Sequence, residues 1–560
     1  MAIPSQNPPE AATVAAHEAP SPAAYRQAYR PQLSFTPARN WMNDPNGLVY
    51  HDGEYHLFYQ YNPNDDVWGD MSWGHAVSPD LLHWAELPVA LLIEKDAQGD
   101  ITQSFYSGSA VLDSANTSGL GLLGQAVMVA IYTGVYPQAM TLANGKQVQE
   151  GQQSQSLAFS QDRGRSWTQY AGNPVIALPP DAYGDEYREF RDPKVFWYAP
   201  ENKWVMVVVI AQRHKALLYS SPNLIDWAFM SEFGPVSAIG GVWECPDLFA
   251  LPVDGDAANS KWVLIINLNP GGPAGGSGAQ YFIGHFDGRT FVLDAPDPAA
   301  AARVAHAGAP KVMTVHDNDD VHWLDYGPDF YAAVTWNGAP GDKRVLIGWM
   351  SNWLYARQVP TAPWRSAQSV PRALGLRTID GQVRLVQQPV DGFEQLRGQL
   401  LLDIEGHALA AGVTALDAAH TRGGAVDIEV LLDPGSAQCA GLLVHTGDNG
   451  DETVVGYDRE LGLVYVDRSR SGNVAFYEGF AARHAAPVPL RDGAIRLRIL
   501  VDTASVTVFA GANEAVLTSQ VFPAQGSDDI ALFAEGGQAM VRQLKIWSLA
   551  SIHAMGDDGA

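Results

Sequence analysis

Short runs of β-branched and aromatic residues recur along most of the chain, each cut off by Gly, Pro, Asn or Asp. Examples are Glu54-Tyr55-His56-Leu57-Phe58-Tyr59-Gln60-Tyr61, Trp204-Val205-Met206-Val207-Val208-Val209-Ile210 and Val345-Leu346-Ile347-Gly348-Trp349-Met350. Apolar runs of strand length between turn-forming residues predict a chain that is nearly all strand. A weak internal repeat adds order to them. Ser78-Pro79-Asp80-Leu81-Leu82-His83-Trp84 returns as Ser160-Gln161-Asp162-Arg163-Gly164-Arg165-Ser166-Trp167, as Ser221-Pro222-Asn223-Leu224-Ile225-Asp226-Trp227 and, degenerately, as Phe286-Asp287-Gly288-Arg289-Thr290-Phe291. Each copy reads as a tight turn after one strand with an aromatic opening the next, spaced as four-stranded blades with long loops would be. Blades set radially bury their faces against one another and leave only short edges. A five-bladed β-propeller over residues 33–375 is therefore expected, the competing account being that Ser-x-Asp and Asp-Gly turns are common.

Past Pro389 the pattern changes to clean alternation. Ile495, Leu497, Ile499 and Val501 share one face of a half-buried antiparallel strand. Similar segments at 426–432, 442–445, 454–457, 463–466, 506–509, 530–533 and 541–547 suffice for two packed sheets. The expected organisation is a flexible Ala/Pro/Ser-rich segment over 1–32, the propeller, a linker over 376–394, a β-sandwich over 395–550 and a tail over 551–560. The ionisable clusters of the sandwich follow its alternation and read as a solvated face.

Composition narrows the function. The 560 residues carry a formal charge of −26, which opposes nucleic acids and anionic membranes as partners and suits a neutral substrate. The 16 Trp and 21 Tyr supply flat faces for sugar rings, although most are expected to pack cores and blades. Two cysteines, Cys245 and Cys439, imply neither a disulfide framework nor a metal cluster. The first thirty residues lack a signal-peptide pattern and no segment has the length of a membrane span. The chain as given reads as soluble and cytoplasmic, or secreted or periplasmic if a leader has been removed.

The chemistry concentrates in three islands: Trp41-Met42-Asn43-Asp44-Pro45-Asn46-Gly47, Glu189-Phe190-Arg191-Asp192-Pro193-Lys194 and Gly241-Val242-Trp243-Glu244-Cys245-Pro246-Asp247. Two carboxylates facing each other across a sugar are the minimum for glycosidic cleavage, and a third can hold the sugar. Taken singly, Asp44 also fits a turn residue and Arg191 with Asp192 a structural ion pair, whereas a buried Glu244 lacks a routine structural explanation. The scattered histidines lack metal-ligand spacing, and neither a nucleotide fingerprint nor a Gly-x-Ser-x-Gly elbow is present. No metal or cofactor is implied.

Together the islands resemble those of glycoside hydrolase family 32, the invertase, levanase and exo-inulinase group. The resemblance extends to Tyr59-Gln60-Tyr61-Asn62-Pro63, Trp73-Gly74-His75-Ala76, Tyr106-Ser107-Gly108-Ser109, Ile347 through Trp353 and Trp364-Arg365-Ser366. It implies an all-β chain, a five-bladed β-propeller catalytic domain followed by a C-terminal β-sandwich. It further implies Asp44 as nucleophile, Glu244 as acid/base with a raised pKa, and Asp192 beside the fructose hydroxyls with Arg191 holding that region of charge. Asn43, Gln60, Trp68, Tyr106 and Ser107 would line the fructose pocket, with wall packing an alternative for Trp68 and Tyr106. Tyr106 stands where many relatives have Phe, and Cys245 is expected to support Glu244. The implied activity is a retaining exo-β-fructosidase acting on sucrose or on inulin- or levan-type fructans. A fructosyltransferase using the same intermediate and a non-catalytic fructan-binding protein are the alternatives; oligomeric state is left open.

Overall fold

The computed structural model describes Tyr25, residues 27–294, 321–416 and 424–553. Most of the N-terminal segment and the tail expected from the sequence lie outside these residues. Five inner strands run down a common channel: β1 (Asn40–His51), β2 (Ile101–Asp113), β3 (Phe190–Tyr198), β4 (Val242–Val253) and β5 (Tyr331–Thr335). Each opens one antiparallel sheet of a five-bladed propeller, and the fourth and fifth sheets touch through a parallel bridge from Val253 to Leu376. Apolar clusters fill the five spaces between neighbouring blades. Phe58, Trp73 and Phe105 pack blade one on two; Val111, Phe190 and Trp204 pack two on three; Val207, Trp243 and Leu264 pack three on four; Phe249, Val263 and Phe330 pack four on five; Trp41, Tyr331 and Trp349 close five on one. Closure is also covalently remote: Trp364–Arg365 pairs in parallel with Asn40 and Trp41 of β1.

The repeated turns stand between the third and fourth strands of the first four blades. In each, one side-chain oxygen of the central Asp or Asn caps backbone N–H groups: Asp80 those of Leu82 and His83, Asp162 that of Ser166, Asn223 those of Ile225 and Asp226, Asp287 those of Arg289 and Thr290. The residue type recurs because the turn leaves the same donors unpaired each time.

Two six-stranded sheets pack face to face as the sandwich, around Ile428, Leu442, Ile495, Leu497, Ile499, Val508 and Leu532. Three sequence expectations need correction. Residues 376–394 are not a linker: Arg372–Ile379 and Gln382–Pro389 form a hairpin of the last blade, turned at Asp380-Gly381. Clean alternation begins only past Pro389, but Leu376 and Leu385 are already buried in the propeller. Residues 27–32 are packed: Arg30 is fully buried with its guanidinium 3.8 Å over the Trp364 ring, and Gln32 N donates to Asp502 Oδ1 of the sandwich at 2.8 Å. The sandwich's charges are not all solvated, because one of its faces covers the propeller. Leu500, Phe509 and Val516 are buried against the first and last blades, and Arg468 is 1% exposed. Among the described residues no helix is long and apolar enough to cross a membrane.

Candidate active site

Every inner strand breaks its pairing at the same end of the channel. The register shifts between Met42 and Pro45 in β1, Tyr106 and Gly108 in β2, Arg191 and Lys194 in β3, Glu244 and Asp247 in β4, and Tyr331 and Val334 in β5. Such bulges re-aim side chains that a regular pleat would alternate between faces. The residues they present are Asn43 and Asp44, Ser107, Asp192, Glu244 with Cys245, and Tyr331. Pro193 and Pro246 fall inside two of the bulges, where a missing N–H costs no ladder bond, and Pro45 stands where pairing resumes after a third. Asp192 and Cys245 adopt φ of 64° and 43°, left-handed backbone that non-glycine residues seldom hold without a surrounding constraint. At Gly108 a Cβ would stand 2.1 Å from Ile131 O, so the β2 bulge needs glycine.

The carboxylates converge on Cys245. Its N–H donates to Asp192 Oδ2 at 2.9 Å, and its thiol lies 3.7 Å from that oxygen and 3.6 Å from Asp44 Oδ2. Cys245 was expected to support Glu244; it instead spans the other two acids, because the bulge turns Glu244 away from its neighbour. Burial, then Asp192, Asp44 and Glu244, push its thiol well above the usual range, so it serves as a neutral donor.

Asp44 accepts Ser107 Oγ at 2.7 Å on Oδ2 and Asn43 Nδ2 at 3.0 Å on Oδ1. Burial raises its pKa, the Ser107 bond opposes this, and the nearby Glu244 charge adds to the rise. The donors are themselves held. Trp41 Nε1 donates to Asn43 Oδ1 at 2.7 Å. With the Asn46 amide oriented to suit its neighbours, its oxygen accepts Gln60 Nε2 at 2.9 Å and its nitrogen donates to Ser107 Oγ at 3.3 Å. Gln60 is thus a buried support, also donating to Phe105 O at 3.0 Å. Asp192 is held near 7 by burial and by Glu244, against the lowering pull of Arg191.

Glu244 Oε1 accepts Arg191 Nε at 3.1 Å and Nη2 at 3.0 Å, and its Oε2 accepts the Tyr331 hydroxyl. Arg191 Nη1 also reaches Glu189 at 2.7 Å and Gln153 at 3.4 Å. Its hydrogen bonds therefore hold Glu244 rather than Asp192. Tyr106 stands close enough for its phenol to feel Arg191, Glu244 and Asp192, and meets Trp68 edge-on at 6.2 Å. Trp68, 36% exposed, forms the outer wall. All nine candidate residues therefore belong to one site. Tyr331, Gln153 and Thr133, whose Oγ1 accepts Asp192 N at 2.9 Å, were not foreseen; no motif marks them, and only strand register brings them in.

Directly below, Lys194 Nζ and Asp247 Oδ2 form a buried ion pair at 3.1 Å. Lys194 donates to Thr335 O, and Asp247 accepts Thr335 N at 2.7 Å, so three bulged strands are tied together. A cavity of about 550 Å³ lined by Val49, Leu112, Trp197, Ala250 and Asn337 opens at the other end of the channel, away from the carboxylates. Among the described residues no cluster of His, Cys, Asp or Glu is arranged to hold a metal ion.

Compared with known proteins, residues 34–389 match the glycosyl hydrolases family 32 N-terminal domain and residues 397–548 the family 32 C-terminal domain. The chain is 46% identical over 521 residues to the extracellular exo-inulinase inuE of Aspergillus ficuum, covering 92% of this chain and 93% of that one. It is 45% identical over 538 residues to the levanase of Bacillus subtilis strain 168, covering 94% and 71%. It is similar to the crystal structure of exo-inulinase from Aspergillus awamori, with a TM-score of 0.87 and 45% identity over 94% of this chain and 99% of that one.

Proposed function

This chain belongs to glycosyl hydrolase family 32, and from that premise we propose that it is an exo-β-fructosidase that removes terminal β-D-fructofuranosyl units with retention of configuration. The observation that carries the reading is the meeting of Asp44 and Glu244 at one mouth of the channel, each oriented by different partners. Asp44 takes its donors from Ser107 and Asn43, Glu244 from Arg191 and Tyr331. One group is thus prepared to attack and the other to exchange a proton.

In this scheme Asp44 attacks C2 of the terminal fructose while Glu244 gives its proton to the departing glycosidic oxygen. The bond from C2 to that oxygen breaks and a fructosyl ester on Asp44 forms. Glu244, now ionised and met by Arg191, takes a proton from water, which attacks C2 and releases the Asp44 carboxylate. Two displacements at C2 restore the starting configuration. Asp192 sits where fructose hydroxyls would lie, strengthening its hydrogen bonds as positive charge develops on the ring. Asn43, Gln60, Trp68, Tyr106 and Ser107 shape the pocket directly or through Asp44.

Exo-inulinase and levanase names among the relatives support sucrose, inulin and levan as candidate substrates, and the extracellular designation of the fungal exo-inulinase supports a location outside the cytoplasm. Product analysis on each substrate tests the proposal. Fructose as the sole early product, lost in Asp44→Ala and Glu244→Ala, is expected; chain-lengthened oligosaccharides from sucrose would identify a transferase, and binding without turnover a non-catalytic protein.

A further inference from the structure

The last inner strand reaches the site from a segment that the sandwich holds. Two sandwich strands matter here, β6 (Leu463–Arg470) and β7 (Ala515–Gln520). Between Asp325 and Asp329 the chain runs beside β7, Tyr326 N donating to Val516 O at 2.8 Å and Asp329 N to Thr518 O at 3.2 Å. In return, Thr518 N and Oγ1 donate to the Asp325 carboxylate at 2.8 and 2.7 Å, and Gln520 N to Asp329 Oδ2 at 2.8 Å. A Cβ at residue 327 would meet Thr518 O at 2.1 Å, so this approach is open only to Gly327. Tyr331, the donor to Glu244, follows two residues after Asp329.

Arg468 of β6 grips the same segment. Its Nη1 donates to Asp329 Oδ2 at 2.8 Å and its Nη2 to the Tyr355 hydroxyl at 3.1 Å, while Tyr355 donates to Asp329 Oδ1 at 2.7 Å. Its Nε donates to Phe480 O at 2.8 Å, and the guanidinium lies 3.7 Å over the Phe480 ring. Tyr355 comes two residues after Trp353, whose ring stacks 5.7 Å from Trp41, the indole that orients Asn43. One sandwich side chain therefore fixes the lead-ins to both sides of the site. Adhesion between domains does not require this: well-packed apolar residues usually match or exceed a buried ion pair in stability. What a rigid fork with two fixed targets adds is geometry.

We propose that Arg468 is a positioning residue for the reaction, holding the Tyr331 hydroxyl on Glu244 through Asp329 and Tyr355, so that the sandwich domain takes part in protonating the leaving oxygen. The proposal rests on the reading of Glu244 as acid/base. Its test is a double-mutant cycle read on two leaving groups. Sucrose needs its departing oxygen protonated, whereas 4-nitrophenyl β-D-fructofuranoside expels a stable phenolate without that help. The variants are Arg468→Gln/Asp329→Asn, which removes both charges and keeps hydrogen-bonding groups, Tyr331→Phe, and the combination. Expected is a fall of about 10- to 100-fold in kcat/KM for sucrose, a change of about twofold or less for the nitrophenyl substrate, and no further loss when the changes are combined. Equal falls on both substrates, or losses that multiply in the combination, would overturn it. Thermal unfolding checks each variant's fold; if the charge-removing pair does not fold, Tyr355→Phe, which deletes one hydroxyl of the same network, takes its place under the same criteria. Glu244→Ala tests the underlying reading separately, since it should abolish sucrose cleavage yet still react with the nitrophenyl substrate.

Discussion

Asp192 illustrates how an acid can be kept at a cost to the fold. Burial and Glu244 hold its carboxyl near 7 against an ordinary 3.8. The folded state then binds this proton more tightly than the unfolded chain does, so ionisation costs stability progressively as pH rises from about 4 to about 7, and costs none below. Asp192→Asn is expected to raise Tm at pH 7, with the gain vanishing near pH 4, while turnover drops by about 10²- to 10³-fold, as on loss of one preorganised transition-state contact. Thermal scans at the two pH values check it. Cys245 makes a simpler case: buried and kept protonated by three carboxylates, it should resist iodoacetamide in the folded enzyme and react only on unfolding, as mass spectrometry would reveal. The three acids were legible in the sequence because each stands in a short island beside Trp, Arg or Pro. Tyr331 was not, since Asp329-Phe330-Tyr331-Ala332 reads as an ordinary buried strand and its role depends on a bulge that only pairing reveals.

At the scale of elements, the site is a ring of five bulges rather than a set of loops. Lys194 and Asp247 stand where regular pairing resumes in β3 and β4, and with Thr335 they lock the spacing of three strands. Lys194→Met leaves Asp247 charged and buried, and should cost about 3–5 kcal/mol of stability in urea unfolding. Lys194→Met/Asp247→Asn should recover most of that loss, because the amide still accepts the Thr335 N–H. Blade turns were readable from Ser-x-Asp because each repeats one capping geometry. The final hairpin is not legible in the sequence because its turn, Asp380-Gly381, carries no such repeat and its strands are only partly buried.

The whole molecule is two folds that share one buried boundary, apolar over much of its area and crossed by an ion pair. Arg468 of the sandwich pairs with Asp329 of the propeller across the boundary, and the propeller's own Arg372–Asp325 pair hydrogen-bonds Thr518 of the sandwich, with less than 2% exposure of the paired ionic side chains. Leu500, Phe509 and Val516 bury apolar surface against the propeller at the same boundary, and pulling the folds apart would expose that surface to water. Calorimetry should therefore record one cooperative transition for both; a sandwich melting separately would contradict this. Alternation revealed the sandwich but not this coupling: it assigns one face to solvent, and a second buried face is indistinguishable until the partner is placed. In the proposed mechanism Asp44 is the nucleophile that carries the covalent fructosyl intermediate. The most direct test is to react Glu244→Ala, slowed in releasing fructose, with 4-nitrophenyl β-D-fructofuranoside and to map the labelled peptide by mass spectrometry. One fructosyl unit on Asp44 is the predicted result; a label on another residue, or none together with an inverted methyl α-D-fructofuranoside from methanol, would contradict the account.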